Sequence, residues 1–323
     1  MKLGVLTVAL QDMPLDSALG FLKDQGVETV EIGCGGCPGT AHCDPEVLLK
    51  DDLALEEFKA TFKKHGLEIS ALSTHCNPVH PNKEQAAKAD YDLHRALRMA
   101  QKLGVNVINT FSGCPGDCPE SKYPNWVTCA WPEDYLAVLK YQWEECLIPY
   151  WRGFVPEAKR CGVDKIAFEP HPGFCVYNPE TVLKIRAAVG PEIGANLDPS
   201  HLIWQGIDPV QAIRTLGKEN AIFHFHAKDT KVDAYNTAVN GVLDTKHYSD
   251  ELNRSWIFRT IGYGNDTAYW KAIISALRMV GYDYAVSIEH EDGLMSSKEG
   301  LIKAIRFLKD VLISEPVGEM FWA

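Results

Sequence analysis

The sequence predicts a single (β/α)8 barrel, the TIM-barrel architecture of the α/β class, and three observations carry that prediction. Short β-branched runs alternate eight times with longer amphipathic segments. Several of those segments close on a glycine able to take the left-handed cap conformation before the next apolar run. The first strand-like run, VLTVALQDMP, carries no glycine-rich phosphate fingerprint of the kind that follows the first strand of a doubly wound open sheet.

In chain order, strands are expected at 2–10, 29–35, 68–76, 105–113, 164–171, 193–201, 221–229 and 284–292, each apolar at its start and polar at its end. Between them lie amphipathic stretches such as PLDSALGFLKDQG, LALEEFKATFKKHG, YDLHRALRMAQKLG and KAIISALRMVG, whose apolar residues recur at helical spacing. SKEGLIKAIRFLKDVLI completes the outer ring, and the tail GEMFWA has an apolar end suited to docking on a neighbour. The connections 113–133 and 229–266 are too long for a bare barrel. Both follow the C-terminal end of a strand, where barrels place their sites, and so read as lid or specificity loops on one domain spanning 1–323.

A chain of 323 residues, 46% hydrophobic and 23% charged, can bury the core of one such barrel. The formal net charge of −11, with no block of Lys and Arg, argues against a nucleic-acid partner, which needs a basic face. The N-terminal run reads as a strand rather than a signal peptide, and no stretch has the roughly 18 apolar residues of a membrane helix. A cytoplasmic protein is expected, with its ten cysteines mostly free thiols.

Four strand ends bring acidic or imidazole groups to one face: Glu169 in AFEPH, Asp198 in NLDPSH, His226 in FHFHAKD and Glu289 in SIEHED. Carboxylate oxygens suit Mg²⁺ or Mn²⁺, and an imidazole raises affinity for Mn²⁺, Co²⁺ or Zn²⁺. His224 and His226 alternate with phenylalanines and share a face, with His224 either supporting His226 or filling the core. His171 is either a pocket residue or a loop histidine, and His80 is expected to be a loop residue. Lys228 and Asp229 could fix their strand end as an ion pair. Trp126, Trp131 and Trp256 in the long connections offer faces that stack on sugar rings or pack on the surface. Cys34, Cys37 and Cys43, with His42 among them, lack the second CxxC of a strong zinc motif, and Cys114 and Cys118 are weaker candidates still.

The eight βα units and the strand ends Glu-Pro-His, Leu-Asp-Pro-Ser-His, His-Ala-Lys-Asp and Ser-Ile-Glu-His resemble the xylose isomerase-like TIM-barrel superfamily over essentially the whole chain. That group includes sugar phosphate isomerases and epimerases, ketose 3-epimerases, inosose-processing enzymes and endonuclease IV. The resemblance implies that Glu169, Asp198, His226 and Glu289 hold one divalent metal, with Mn²⁺ or Mg²⁺ expected first and Co²⁺ or Zn²⁺ also compatible. It implies that Glu169 and Glu289 are catalytic, shuttling protons on opposite faces of the substrate. It makes His201 and His75 substrate-binding residues, with His171 as a further candidate. Arg259, in the FRTIGYGND segment similar to the family's Gly-x-Gly stretch, is expected to hold a phosphate, carboxylate or sugar hydroxyl.

The expected function is therefore a metal-dependent sugar isomerase or epimerase that acts by proton transfer beside a carbonyl, through an enediolate, on a keto-sugar or related polyol ketone. The alternative enzyme is a lyase that eliminates the aglycone from a 3-keto-glycoside. An endonuclease IV-like phosphodiesterase fits the net charge poorly, and a binding-only protein would retain metal without exchanging substrate protons. A small carbohydrate is the expected partner, together with further copies of the chain in a homo-oligomer, and the long connections leave surface for a partner subunit.

Overall fold

The computed structural model describes residues 1–322; Ala323, the last residue of the GEMFWA tail, lies outside the described residues. Eight parallel strands close into a barrel: β1 (Lys2–Leu6), β2 (Thr29–Gly33), β3 (Glu68–Ser73), β4 (Val107–Thr110), β5 (Lys165–Phe168), β6 (Ile193–Leu197), β7 (Ile222–Ala227) and, after the intervening hairpin β8 (Asp229–Val232) and β9 (Trp256–Arg259), β10 (Ala285–Ile288). Around the barrel the order is β1-β10-β7-β6-β5-β4-β3-β2, closed by the pairing of β1 with β2. This is the expected (β/α)8 architecture, with helices between the strands.

Helix ends follow local chemistry. Asp51, Asn82, Asp208 and Asp266 cap helix N-termini by accepting backbone N–H groups. At the C-termini, Gly66 and Gly104 take φ of 60° and 71°, the left-handed conformation expected of the helix–Gly–strand punctuation. The main core lies between strands and helices, where Leu19, Leu22, Ile32, Leu72, Leu93, Leu97, Phe168 and Trp270 are fully buried. Burying each such side chain contributes about 1.5–3 kcal/mol before chain entropy is subtracted.

Every strand ends earlier than its sequence pattern suggests. The expected 193–201, for example, stops at Leu197, and Asp198 then caps a short helical turn, Pro199–Ile203. Parallel pairing ceases where the strand ends splay to make a site, whereas apolar-to-polar patterning runs on past that point. The 229–266 connection is only partly a loop: β8 pairs antiparallel with β9, and a helix, Ala234–Asn240, follows β8. The 113–133 connection is irregular and is pinned by buried Gln142, whose Nε2 reaches the carbonyls of Pro115, Gly116 and Asn125 at 3.1, 3.2 and 2.6 Å. No helix among the described residues is long and apolar enough to cross a membrane.

Candidate active site

Each residue of the acidic cluster is placed by the strand end that carries it. Glu169 follows β5 directly, its N–H bonded to the Thr110 carbonyl at 2.9 Å, and Pro170 then ends the pairing. Asp198 follows β6 and divides its oxygens: Oδ1 accepts the Ser200 N–H at 2.8 Å as a helix cap, leaving Oδ2 to the interior. His226, on β7, donates from Nε2 to Glu31 Oε2 at 2.8 Å, so Nδ1 faces inward, 3.4 Å from Glu169 and 3.2 Å from Glu289. Ligating atoms of Glu169, Asp198, His226 and Glu289 all lie within 4.8 Å of one another. The structure thus brings together the four residues expected to hold a metal.

The chemistry of this set fits a divalent cation. His226 Nδ1 is buried without a hydrogen-bond partner, and buried Asp198 Oδ2 makes no hydrogen bond and has only the charge of Lys228 Nζ, 3.0 Å away, to offset it; an ion between the two atoms would satisfy both. A buried cluster of three carboxylates and one imidazole is therefore able to bind a metal.

Lys228 is the residue the sequence reading undervalued. Its side chain is buried, and Nζ lies 2.6 Å from Glu289, 2.9 Å from Glu291 and 3.0 Å from Asp198. It makes no ion pair with Asp229. That carboxylate instead accepts N–H groups of Gly262, Gly264 and Asn265 and the Trp270 indole at 2.9–3.1 Å. The GYG segment has to be glycine at 264 because a Cβ there would lie 2.6 Å from Asp229 Oδ1. The signal for Lys228 was in the sequence: in β-alternation 224, 226 and 228 share a face.

Ionisation follows from these contacts. Burial pushes the Glu169 carboxyl up, but the imidazoles of His201, His226 and His75 around it outweigh that and hold Glu169 well below the usual range. Burial also raises Glu289, against which Lys228 and His226 bring it down to about 2. Asp198, dominated by burial, is raised. Burial works to discharge Lys228, but Asp198, Glu289, Glu291 and Glu169 keep it firmly an ammonium.

His75 and His201 hold Glu169 from two sides, their Nε2 atoms 3.0 and 2.8 Å from its oxygens. His171 is not a free loop histidine. Its ring lies against His201 with centroids 4.0 Å apart, and its Nδ1 donates to the Pro172 carbonyl at 2.6 Å. Burial lowers the pKa of both His171 and His201, favouring neutral rings. His224 is a satisfied interior histidine bonded to Ser70 and Asn196, pushed down to about 4 by burial. Behind the cluster, Glu31 takes hydrogen bonds from Asn109 at 2.8 Å and Ser287 at 2.9 Å, besides those from His226 and Ser73. Its signal was a lone charge inside the short apolar strand TVEIG.

Not every residue singled out in the sequence lies at this site. Arg259 lines neither cavity at the site, because its Nε is engaged by Asp292 at 3.0 Å and its guanidinium packs on Tyr263. The Cys34, Cys37 and Cys43 group does not converge as a zinc site: Cys34 and Cys43 sit side by side as free thiols, Cys37 is exposed, and His42 is bonded to the Met13 carbonyl at 2.9 Å. Trp131 is exposed and away from the site, whereas Trp126 and Trp256 reach it. His80 is a loop residue, as expected, its Nδ1 accepting the Asn82 N–H.

Two cavities open here. One of about 150 Å³ is lined by His75, Phe111, Glu169, His171, Lys228 and Glu289 among others. The second, of about 350 Å³, lies across His171 and takes Trp126, Trp204, Tyr248, Trp256 and Phe258 into its walls.

An eight-stranded parallel barrel with a metal-competent acidic cluster at the C-terminal ends of its strands defines a TIM-barrel protein with a candidate site on the face where such barrels place theirs. The chain belongs to the xylose isomerase-like TIM barrel family, whose sequence model matches residues 19–311. It is 39% identical over 315 residues, 97% of this chain and 99% of the relative, to the uncharacterized protein YfiH of Bacillus subtilis (strain 168). Among solved structures it resembles the IolI protein with a bound zinc atom (TM-score 0.67, 20% identity, 97% and 98% of the two chains). It also resembles the 3-keto-D-glucoside 4-epimerase YcjR from E. coli (TM-score 0.65, 15% identity, 96% and 99%). At those identities the structural likeness concerns the fold.

Proposed function

We propose that this protein is a divalent-metal-dependent isomerase or epimerase that moves a proton beside the carbonyl of a keto-sugar or related polyol ketone. The observation that carries the reading is the convergence of ligand atoms of Glu169, Asp198, His226 and Glu289 to within 4.8 Å of one another, at the wall of a small cavity that Glu169 and Glu289 line. Glu169 and Glu289 come from β5 and β10, three strand steps apart in a closed ring of eight, so they approach a substrate from nearly opposite walls. Both are held ionised, as a base must be.

Glu169, Asp198, His226 and Glu289 would hold the metal, Mn²⁺ or Mg²⁺ by the oxygen-rich donor set, with Zn²⁺ or Co²⁺ admitted by the imidazole. Once bound, the metal supplies Lewis-acid polarisation of a carbonyl and its neighbouring hydroxyl, which acidifies the adjacent C–H. One glutamate takes that proton. Return of a proton by the other glutamate from the opposite face inverts the centre, whereas its return to the neighbouring carbon gives an isomer. His75 and His201 fix the direction of the Glu169 lone pairs. The Lys228 ammonium offsets negative charge as it develops on the substrate oxygens.

The test is NMR in D₂O of a panel of ketoses, inososes and 3-keto-glycosides, with wild type, metal-stripped protein and Glu289→Gln. Metal-dependent deuterium uptake next to a carbonyl, lost in the variant, is the expected result. No exchange in any member of the panel would overturn the reading.

A further inference from the structure

The 350 Å³ cavity is built largely by segments that a bare barrel lacks: Trp126 and Thr128 come from the 113–133 connection, and Trp256 and Phe258 from β9. Its walls are flat and braced. Trp204 and Trp256 stack with centroids 4.5 Å apart and planes at 5°, while Tyr248 stacks on Phe258 at 5.9 Å and 15°. Behind them, the buried Arg254 guanidinium lies 4.3 Å from the Tyr248 ring and 4.6 Å from Trp256, its Nε bonded to the Trp256 carbonyl at 3.1 Å. Asp244 Oδ2 accepts the Ser255 N–H at 2.7 Å, tying the rim to β9.

We propose that this chamber binds the planar aromatic aglycone of a glycoside whose keto-sugar ring occupies the 150 Å³ metal chamber. The inference rests on the reading of the small chamber as a keto-sugar site. His171 lines both spaces, and its neighbour His201 lines the aromatic one while touching Glu169, so a substituent on the sugar passes directly across this pair. Free side-chain hydroxyls in the aromatic chamber come only from exposed Thr128 and Thr245 and from Tyr248 at the rim, too few for a second sugar ring with hydroxyls around its whole edge. No Lys or Arg lines it, which disfavours a phosphate. The indole N–H groups of Trp126 and Trp204, both lining residues, are buried without partners, so an occupant carrying acceptor oxygens is favoured over a plain hydrocarbon. Aromatic faces of this kind add stacking to area burial.

The experiment is calorimetric titration of the metal-loaded protein with 4-nitrophenyl 3-keto-glucoside, methyl 3-keto-glucoside and 3-keto-cellobiose. The aryl compound is expected to bind at least tenfold tighter than the methyl one, a difference of about 1.4 kcal/mol. Trp126→Ala, on an irregular segment, and Leu243→Arg, at the exposed rim, should each erase that preference and leave the affinity for methyl 3-keto-glucoside within twofold. Equal binding of aryl and methyl compounds, or tighter binding of the disaccharide, would overturn the proposal. Because the readout is binding, an aryl preference without proton exchange would sink the proposed reaction and leave the aromatic chamber standing.

Discussion

Lys228 gives the sharpest quantitative test of how the acidic cluster is held. Lys228→Met keeps the length of the buried stem and its packing near the Phe258 ring, which lies 4.6 Å from Nζ, but removes the charge shared by Asp198 and Glu289. Glu291, with a half-exposed side chain, can be solvated instead and adds little. Taking one partner from a buried ion pair costs about 3–5 kcal/mol, with the low end favoured if Asp198 escapes by taking up a proton. For a chain of 323 residues the unfolding entropy is about 0.7 kcal/mol per degree. The metal-free variant should therefore melt roughly 4–7 °C below wild type. Added Mn²⁺ supplies the missing positive charge, so scanning calorimetry with and without metal should show at least half of that gap closing. A variant as stable as wild type without metal, or a gap indifferent to metal, would refute the argument that Lys228 and a divalent ion answer the same carboxylates.

Three other outcomes follow from local geometry. Glu31→Gln keeps the shape behind His226 but removes the carboxylate that fixes its Nε2–H, and metal affinity by competition with a chelating dye should fall about 10- to 100-fold with little change in fold. Gly194→Ala places a Cβ 2.5 Å from the Phe223 ring and should cost about 1–3 kcal/mol in urea unfolding, whereas Gly153→Ala, in an exposed helical position with nothing within 4 Å, should stabilise by about 0.5–1 kcal/mol. Asp244 is raised by burial but brought down to about 2 by the Ser255 and Lys246 N–H groups and the Lys246 ammonium. Its folded-state pKa lies below the ordinary 3.8, so its stabilisation is complete above about pH 4 and is lost as pH falls through 2. Limited pepsin cleavage within 233–255 should rise over that window in wild type and be high throughout in Asp244→Asn.

The eight strands and the four clustered residues were legible because each depends on a pattern along one strand: apolar alternation followed by a polar end. What escaped was set by distance in sequence rather than by strength of signal. Glu31 touches His226 across 195 positions, and Trp204 finds Trp256 from another connection. Arg259 misled for the complementary reason. Its segment looks like a pocket-closing stretch, but whether a guanidinium meets a ligand or a neighbouring carboxylate depends on Asp292, 33 residues away. The paired carboxylate was invisible to local reading.

The interior of the barrel explains why a cluster this charged can be held at all. Barrel lumens are ordinarily filled by bulky branched side chains. Here a small apolar group, Ala71, Val107, Ala167 and Phe223, is separate from the main core, and on β4 and β5 strand alternation carries it directly to Asn109 and Glu169. Between that floor and the candidate metal ligands lies a layer of Glu31, Ser70, Ser73, Asn109, Asn196, His224 and Ser287, joined by hydrogen bonds. Such a layer contributes little net stability by itself, which falls to the strand–helix core outside the barrel. Its contribution is positional. With the lumen wall bonded to Glu31, and Glu31 bonded to His226, the imidazole cannot turn without breaking a buried charge-assisted hydrogen bond, and Nδ1 stays directed at the carboxylates where the chemistry would take place.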